Sequence, residues 1–360
     1  MRDNIKNIGA DCIRMGKLGD LCEIVKGKTP IQKAVPGDYP LVVTSPLRRS
    51  NSTYQFDKPS VIIPLVSSRG HGVASLNQIF YQDGEFAVGN ILACATPKHS
   101  TLDARYLCAY LNLKKDVLLV PLMTGGANVS LTVKTLQNAN IQIPIPPLSI
   151  QQKIVSVLDA FTTLIDKMKQ EVEKRKKQME YYREKLLTFE DGECEWKTLS
   201  NVTNCITPPI KLKTSQYLER GPYFIIDQGK DYYAGYTDIE TALLPDGEYI
   251  LYGDHTCTVK YVDTKFAQGA DGLKILKADG HNNPKYLFYA ISTYNLQNTG
   301  YKRHWTQAKE IGIPIPPISR QHEIVSTLDK FESYITKLEK MIVLRQKQYE
   351  YYREQLLTFE

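Results

Sequence analysis

The chain has 360 residues, of which 23% are charged and 42% hydrophobic, and its formal net charge is +6. This length is too great for one ordinary core and predicts two domains of a soluble globular protein. The sequence has neither a signal-peptide pattern nor an apolar run that could span a bilayer. Its seven cysteines lack Cys-x-x-Cys spacing, which favours reduced thiols in a cytoplasmic protein over disulfides or zinc.

Residues 1–142 are predicted to form a globular head, called head 1, made of strands and short helices. Val61-Ile62-Ile63 is a strand-like run, and glycine, asparagine and aspartate separate such runs. A second region of the same character, residues 191–312, is called head 2. There Tyr249-Ile250-Leu251-Tyr252 is strand-like.

A long internal duplication separates and follows the heads. Residues 143–190 are repeated at 313–360, with 28 of 48 positions identical at a fixed offset of 170. Only two copies exist, so the repeat is an internal duplication and not a solenoid. It predicts that the molecule does something twice.

Each copy begins Ile-Pro-Ile-Pro-Pro, which must be extended because proline lacks an amide donor and restricts its neighbour. Ser149 and Ser319 follow as candidate N-caps of a helix of about 60 Å at 1.5 Å per residue. Both helices carry a heptad seam, which predicts coiled-coil packing. The seam positions are Ile154, Leu158, Phe161, Ile165, Met168, Val172 and Arg175 in the first copy, and Ile324, Leu328, Phe331, Ile335, Leu338, Ile342 and Arg345 in the second.

Two readings of the seam arginines remain open. Arg175 and Arg345 either extend their charge to water along an apolar seam or face a carboxylate that fixes the pairing.

The expected fold class is α+β. Two mixed α/β heads with strand-rich cores are joined by two long antiparallel coiled-coil helices in a pseudo-twofold arrangement, so that the second helix ends near head 1. The heads match at an offset of 180, as at Tyr106-Leu107 and Tyr286-Leu287, whereas the helices match at 170. Head 1 therefore holds about ten extra residues, which we place in 113–128.

Basic and aromatic residues in the heads are candidates for DNA contact, because cations near glycine-rich loops suit phosphates and arginine suits base edges. For isolated cations a solvated surface charge is the favoured reading, whereas for Arg48-Arg49 and the Lys302–Trp305 cluster both readings stay open. The candidates are Arg48, Arg49, Arg69, His71, Lys98, Lys211, Lys213, His255, Lys260, Lys302, Arg303, His304 and Trp305.

No catalytic constellation or metal-ligand spacing stands out in the sequence. Asp246 and Asp263 with Lys265 loosely fit the pattern of a Mg²⁺-dependent nuclease, so a stand-alone nuclease remains an alternative. A coiled-coil scaffold that binds only proteins is another.

The chain resembles the DNA-specificity subunits of type I restriction–modification enzymes. The resemblance rests on the two proline-rich lead-ins, the Gln151-x-x-Ile154-Val155 and Gln321-x-x-Ile324-Val325 helix starts, the following Leu-Asp pairs and the two Tyr-Tyr-Arg-Glu ends. It covers essentially the whole chain, in the order head, helix, head, helix. The short second head, which lacks the apolar stretch that head 1 has at 113–122, departs from this regularity.

The resemblance implies a non-catalytic, cytoplasmic subunit that reads a bipartite double-stranded DNA target. Residues 1–142 and 191–312 would be target-recognition domains, and 143–190 and 313–360 would be spacer helices. It also implies two methyltransferase subunits as partners, which would bind S-adenosylmethionine and methylate DNA, and in some assemblies restriction subunits. A system whose partner fuses methylation and cleavage in one chain would fit this sequence equally well.

Overall fold

The computed structural model divides into two compact units, each with one head. Unit 1 comprises the chain up to residue 168 together with 341–360, and unit 2 comprises 169–340. The structure describes residues 13–190, 192–269, 271–300 and 302–359.

Unit 1 contains nine short strands, a 15-residue helix and the start of a 40-residue helix among its described residues. The strands are β1 (Arg14–Lys17), β2 (Cys22–Lys26), β3 (Tyr39–Val42), β4 (Arg49–Asn51), β5 (Ser60–Pro64), β6 (Phe80–Gln82), β7 (Ala87–Val88), β8 (Leu92–Pro97) and β9 (Gln142–Ile145). The helices are α1 (Leu18–Leu21), α2 (Ala104–Leu118), α3 (Val133–Asn138) and α4 (Leu148–Leu187), with 3-10 turns at Ile31–Lys33 and Val120–Leu122.

Unit 2 repeats this order of elements. Its strands are β10 (Glu195–Thr198), β11 (Thr203–Ile206), β12 (Tyr223–Ile226), β13 (Gly235–Thr237), β14 (Tyr249–Gly253), β15 (Val259–Val262), β16 (Phe266–Gln268), β17 (Leu273–Ala278) and β18 (Gly312–Ile315). Its helices are α5 (Leu199–Val202), α6 (Pro284–Tyr294), α7 (Trp305–Ala308) and α8 (Ile318–Leu357), with 3-10 turns at Thr214–Gln216 and Glu240–Ala242.

The two heads have the same sheet topology. Head 1 has a four-stranded sheet in the order β2-β8-β5-β6 and a three-stranded sheet β4-β3-β7, and head 2 has the matching orders β11-β17-β14-β15 and β13-β12-β16. In each three-stranded sheet one pair is antiparallel and the other parallel. The strand-rich α+β class is therefore confirmed, although the two heads share little sequence.

The proline-rich lead-ins are extended, as predicted. β9 pairs antiparallel with β1, and β18 pairs in the same way with β10. The N-cap assignment was wrong, because the long helices begin at Leu148 and Ile318, one residue before Ser149 and Ser319. The strand ends at Ile145, and the carbonyl of Pro147 accepts the amide N–H of Ile150, so Pro147 directly precedes the helix and its carbonyl accepts the first turn's hydrogen bond.

The long helices pack antiparallel inside each unit. In unit 1 the Phe161 ring stacks on Tyr352 with centroids 5.5 Å apart, and in unit 2 Tyr182 stacks on Phe331 at 5.4 Å. These two pairs are copies of each other under the duplication. Lys176 and Glu339 add an ion pair in unit 2, with N and O 2.9 Å apart.

The predicted seam residues lie on the buried side of their helices. Nine of the twelve apolar members are buried, whereas Phe161, Phe331 and Leu338 keep partial exposure. Arg175 does meet a carboxylate, but on its own helix: its Nε donates to Glu171 at 2.7 Å. Its guanidinium also lies over the Tyr334 ring, 5.5 Å from the centroid, and Arg345 donates to Gln348.

Each unit closes its core with the start of one long helix and the end of the other. Ile154 and Leu158 pack in unit 1 with Leu356 and Leu357, from the end of α8. Ile324 and Leu328 pack in unit 2 with Leu187, from the end of α4. The expectation that the second helix ends at head 1 is thereby confirmed.

The ten extra residues of head 1 are spread over three places. α2 has 15 residues where α6 has 11, and α3 has six where α7 has four. The remainder lengthens the connection between them, residues 119–132 against 295–304. No described helix combines the length and apolarity needed to cross a membrane.

Candidate nucleic-acid interface

Equivalent loops leave the same end of the four-stranded sheet in each head. The connection from β5 to β6, residues 65–79, is called the Arg69 loop, and the connection from β14 to β15, residues 254–258, is called the His255 loop. β5 and β14 hold the same place in their sheets, so the two loops correspond although they differ threefold in length.

The tip of the Arg69 loop exposes two of the candidate residues, Arg69 and His71. Ser67 organises the tip: its Oγ donates to the carbonyl of Val73 at 2.5 Å and accepts the amide N–H of Arg69 at 3.2 Å. His71 has φ 60° and Gly72 has φ 76°, so the chain turns through the left-handed region here. The side chains of Arg69 and His71 are both exposed to solvent at this turn.

The lengthened connection after α2 backs the Arg69 loop. The amide of Leu131 donates to the carbonyl of Leu65 at 2.7 Å, and the amide of Ser67 donates to Val129 at 3.0 Å. A Cβ at position 72 would lie 3.0 Å from the carbonyl oxygen of Gly126, so Gly72 permits a close approach of the two segments. The extra residues of head 1 thus support its longer loop.

In head 2 the connection after α6 lies against the His255 loop in the same way. The Asn298 Nδ2 donates to the carbonyl of His255 at 3.1 Å. Gln228, from the β12–β13 connection, accepts the His255 amide at 3.1 Å on its side chain and the Thr256 hydroxyl at 2.7 Å on its carbonyl. Three segments distant in sequence are therefore held together beside the sheet.

The Lys302–Trp305 stretch is anchored to this surface through Asp254. The amide of His304 donates to the carbonyl of Asp254 at 2.8 Å, and the amide of Trp305 donates to the Asp254 carboxylate at 2.8 Å. His304 is buried, with its Nδ1 3.1 Å from the same carbonyl and its Nε2 without a hydrogen-bond partner. Lys302 and Arg303 remain exposed, so the anchored residues present two cations to solvent.

Lys211 joins the same surface through the exposed residue Asp271. Its Nζ lies 2.9 Å from the Asp271 carboxylate. The hydrogen bond from Lys211, assisted by the charges of Lys211, Arg303 and Lys274, lowers the pKa of that carboxyl. Lys213 is exposed two residues further on. The structure therefore brings Lys211 and Arg303 close to one acidic residue.

Two of the candidate cations are structural in this fold. Lys260 is buried, and its Nζ donates to the carbonyls of Asp227 at 3.0 Å and Asp231 at 2.6 Å, which secures the β12–β13 connection. Arg48 is half-buried, lies over the Phe80 ring and donates to the Gln82 side chain at 2.9 Å. Burial lowers the pKa of both side chains.

Two other candidates lie away from the Arg69 loop. Arg49 is exposed on β4, at the edge of the three-stranded sheet. The Arg69 loop begins after Pro64, and Pro64 pairs with Leu92 at the start of β8. Lys98, however, follows the end of β8. Lys98 is thus at the opposite end of the sheet, where its Nζ donates to the carbonyl of Gly19 at 3.1 Å.

Sequence reasoning missed the side chains that shape head 2. Gln228, Asp254 and Asn298 make the bonds that hold the loops together, but each is a single polar residue in irregular sequence. The only available signal was position, because Asp254 follows a buried strand directly.

The proposed nuclease residues do not form a metal site among the described residues. Lys265 pairs with Asp246 at 3.5 Å, and Asp263 is exposed. No group of three histidine, cysteine or acidic residues in the described part of the chain could hold a metal ion. The surface offers exposed cations and a histidine on fixed loops, which suits contact with phosphates and base edges.

Comparison with known proteins identifies the family of the chain. The model of the type I restriction modification DNA specificity domain matches residues 13–174 and 193–345, so it matches each head together with its helix. A type I restriction enzyme specificity subunit of Escherichia coli is 32% identical over 263 residues, which is 63% of this chain and 65% of that protein. A Haemophilus influenzae protein named as such a subunit is 29% identical over 80% of this chain and 81% of its own length.

Solved structures agree at the level of the fold. The crystal structure of a type I restriction-modification S subunit from M. genitalium superposes with a TM-score of 0.66 at 13% identity, covering 99% of both chains. Because the family model matches twice and spans most of the sequence, the chain belongs to the family of type I restriction–modification DNA specificity subunits.

Proposed function

We propose that this chain reads a bipartite DNA target and directs methylation to it. Head 1 reads one half of the target through the Arg69 loop, and head 2 reads the other half through the His255 loop with Lys302 and Arg303. The observation that carries the proposal is the double match of the specificity-domain model, once on each head. Two reading heads in one chain imply two half-sites.

The chain's contribution is recognition, and the chemistry belongs to its partners. We infer that two modification subunits dock to the assembly, bind S-adenosylmethionine and methylate the DNA, and that restriction subunits join in some complexes. Such assembly takes place in the cytoplasm, where the DNA is. The specificity family to which the chain belongs supports this division of work, and the stand-alone nuclease is not favoured.

Physical reasons support two heads and a fixed spacer. A short protein loop contacts only a few base pairs in the major groove, so one head alone has low sequence specificity. Two heads held at a set distance multiply the specificity and require a defined gap between the half-sites, as half-site spacing does in dimeric repressors. The 40-residue helices α4 and α8 supply that spacer.

Among the candidate residues, we retain Arg69, His71, Lys211, Lys213, His255, Lys302, Arg303 and Arg49 as DNA contacts. Arg48, Lys260 and His304 act instead by holding the loops, because their polar atoms are committed to the protein or buried. Trp305 packs beside Tyr252, with ring centroids 5.7 Å apart, and anchors the preceding cations. Lys98 lies at the opposite end of the sheet and is the weakest candidate.

The test is to map methylated bases in a host that expresses this chain with its modification subunit. We expect one asymmetric target of two short half-sites separated by a fixed gap. Replacing residues 193–312 with the second head of a related subunit should change one half-site and leave the other half-site intact. Methylation without a bipartite consensus, or the loss of both half-sites on exchange, would contradict the proposal.

A further inference from the structure

A buried glutamine stands at the start of each long helix. Gln151 is fully buried and Gln321 is 1% exposed, whereas the next residues, Gln152 and His322, are exposed. Burying an amide is costly unless its polar atoms are hydrogen-bonded. Both glutamine amides therefore need hydrogen-bond partners inside the protein.

In unit 1 the Gln151 amide bonds to three backbone groups in two segments of the chain. Its Nε2 donates to the carbonyl of Pro146 at 2.7 Å and to that of Thr101 at 2.8 Å. Its Oε1 accepts the amide N–H of Asp103 at 2.8 Å. Asp103 is the N-cap of α2, so one side chain ties the proline lead-in and the start of α4 to the first turn of the head helix.

In unit 2 the Gln321 amide makes the equivalent three bonds. Its Nε2 donates to the carbonyl of Pro316 at 3.0 Å and to the side-chain oxygen of Asn282 at 2.8 Å. Its Oε1 accepts the amide N–H of Asn283, the N-cap of α6, at 2.9 Å. Although the heads have diverged, this junction is retained in both.

The chemistry of the site explains why the residue is glutamine. Two of the three partners are oxygen acceptors and the third is a backbone N–H donor, which also fixes the orientation of the amide. A glutamate of the same shape would place a carboxylate oxygen against two acceptors. A methionine would fill the volume and leave all three partner groups unsatisfied.

Other contacts cross these junctions too. The buried hydroxyls of Tyr106 and Tyr286 donate to carbonyls of the lead-in strands, at 2.9 and 2.7 Å, and so tie each head helix to its lead-in. Arg105 reaches Asp159 at 3.2 Å in unit 1 and Lys285 reaches Asp329 at 2.9 Å in unit 2, and the unit 1 pair is about half exposed. Exposed ion pairs of this kind hold geometry weakly. The buried glutamine differs from these contacts because it belongs to the long helix itself, from which its amide makes three hydrogen bonds of 2.7–3.0 Å.

We propose that Gln151 and Gln321 are positioning residues that fix the angle between each head and its long helix, and thereby the gap between half-sites that the protein accepts. The inference rests on the proposed bipartite DNA reading. α2 leads from the Gln151 junction to the segment that backs the Arg69 loop, and α6 leads from Gln321 to the Lys302–Trp305 stretch. A tilt at the junction is therefore carried to the reading loops.

A small tilt is enough to matter. α2 has 15 residues and is about 22 Å long, so a tilt of about 10° moves its far end by roughly 4 Å. That displacement is about one base-pair step of DNA, ~3.4 Å. Loosening either junction should therefore allow gaps one base pair longer or shorter than the native gap.

The test uses the assembled methyltransferase on a library of its own target in which only the gap varies. Gln151→Met, Gln151→Glu and Gln321→Met are compared with the natural chain. Gln152→Met is the matched control, because it makes the same substitution at the exposed neighbour. Asn282→Ala is a milder variant that removes one of the three Gln321 bonds, in case the full substitutions prevent folding.

In the glutamine variants we expect the ratio of methylation at gaps one base pair longer or shorter to methylation at the native gap to rise by on the order of tenfold. That factor is the discrimination that one mismatched base pair typically provides. The half-site sequences and the Gln152→Met profile should stay unchanged. If the glutamines only stabilised their heads, the substitutions would lower methylation equally at all gaps. An unchanged gap profile in assembled glutamine variants or in Asn282→Ala would therefore overturn the inference. If the natural complex methylates no bipartite target, the proposed function itself fails.

Discussion

Asp254 anchors the Lys302–Trp305 stretch to the surface of head 2. Its buried carboxylate accepts the amide of Trp305 at 2.8 Å, and its carbonyl accepts the amide of His304. Asp254→Ala should lower the free energy of unfolding by about 1–3 kcal/mol, because a buried donor loses its partner. Asp254→Asn keeps an acceptor oxygen and should lose less.

Urea unfolding of the chain measures this difference, with Asp238→Ala as a control. Asp238 is exposed, so its replacement should stay within about 0.5 kcal/mol of the natural protein. Equal stabilities for Asp254→Ala and Asp238→Ala would show that the anchor contributes nothing.

Lys302 and Arg303 should act through charge at the DNA backbone. Each phosphate contact releases counterions, so Lys302→Gln or Arg303→Gln should reduce the slope of log affinity against log salt by about one. Lys277→Gln removes the same charge from the opposite end of the head 2 sheet and should leave the slope unchanged. Titration of the assembled complex with target duplex at several salt concentrations decides this, and equal slopes for all three variants would exclude a specific contact.

Sequence alone separated the residue roles poorly. Lys260 and Lys302 are both lysines in basic, tyrosine-rich stretches, yet one is buried on two carbonyls and the other is exposed. That difference arises from strand pairing: β15 turns Lys260 inward, beneath a connection that is about 30 residues earlier in the chain. Long-range pairing of this kind leaves no mark in local composition.

At the scale of elements, the duplicated helices were predictable and the head loops were not. A seven-residue apolar period needs no tertiary information, so the seam followed from the sequence even where Arg175 interrupts it. The loops depend on residues such as Gln228 and Asn298, which act through contacts between distant segments. The proline lead-ins were correctly predicted as extended, but Pro147 and not Ser149 directly precedes the helix, because the Pro147 carbonyl already accepts the amide of Ile150.

The stacked pairs Phe161–Tyr352 and Tyr182–Phe331 are equivalent under the duplication, so they should stabilise the two units by similar amounts. Their centroid distances of 5.5 and 5.4 Å and interplanar angles of 29° and 25° are nearly the same. Double-mutant cycles with leucine at both positions of a pair should give coupling energies of about 0.5–1.5 kcal/mol, similar in the two units. Urea unfolding provides the energies. As a control, Phe161→Leu combined with Tyr181→Leu, at an exposed position in the other unit, should be additive.

At the scale of the whole molecule, the proposed function assigns measurement of the gap to the duplicated helices and reading of the half-sites to the heads. If the helices set the gap, removing one heptad from each should shorten the gap between half-sites while both half-site sequences persist. Seven residues is the smallest deletion that keeps the seam in phase, and it shortens a helix by about 10 Å. Residues 169–175 of α4 and 339–345 of α8 are suitable, because they are equivalent at the offset of 170 and lie between the stacked residues of their helices.

Methylation mapping of the doubly shortened chain with its modification subunit measures both properties at once. The control removes residues 169–175 from α4 alone. The two seams then differ in length, and we expect a loss of stability together with a loss of methylation, since the stacked pairs at both ends cannot all be satisfied. An unchanged gap with altered half-sites in the matched deletion would place the measuring function in the heads, and the division of work inferred from the duplicated sequence would then be wrong.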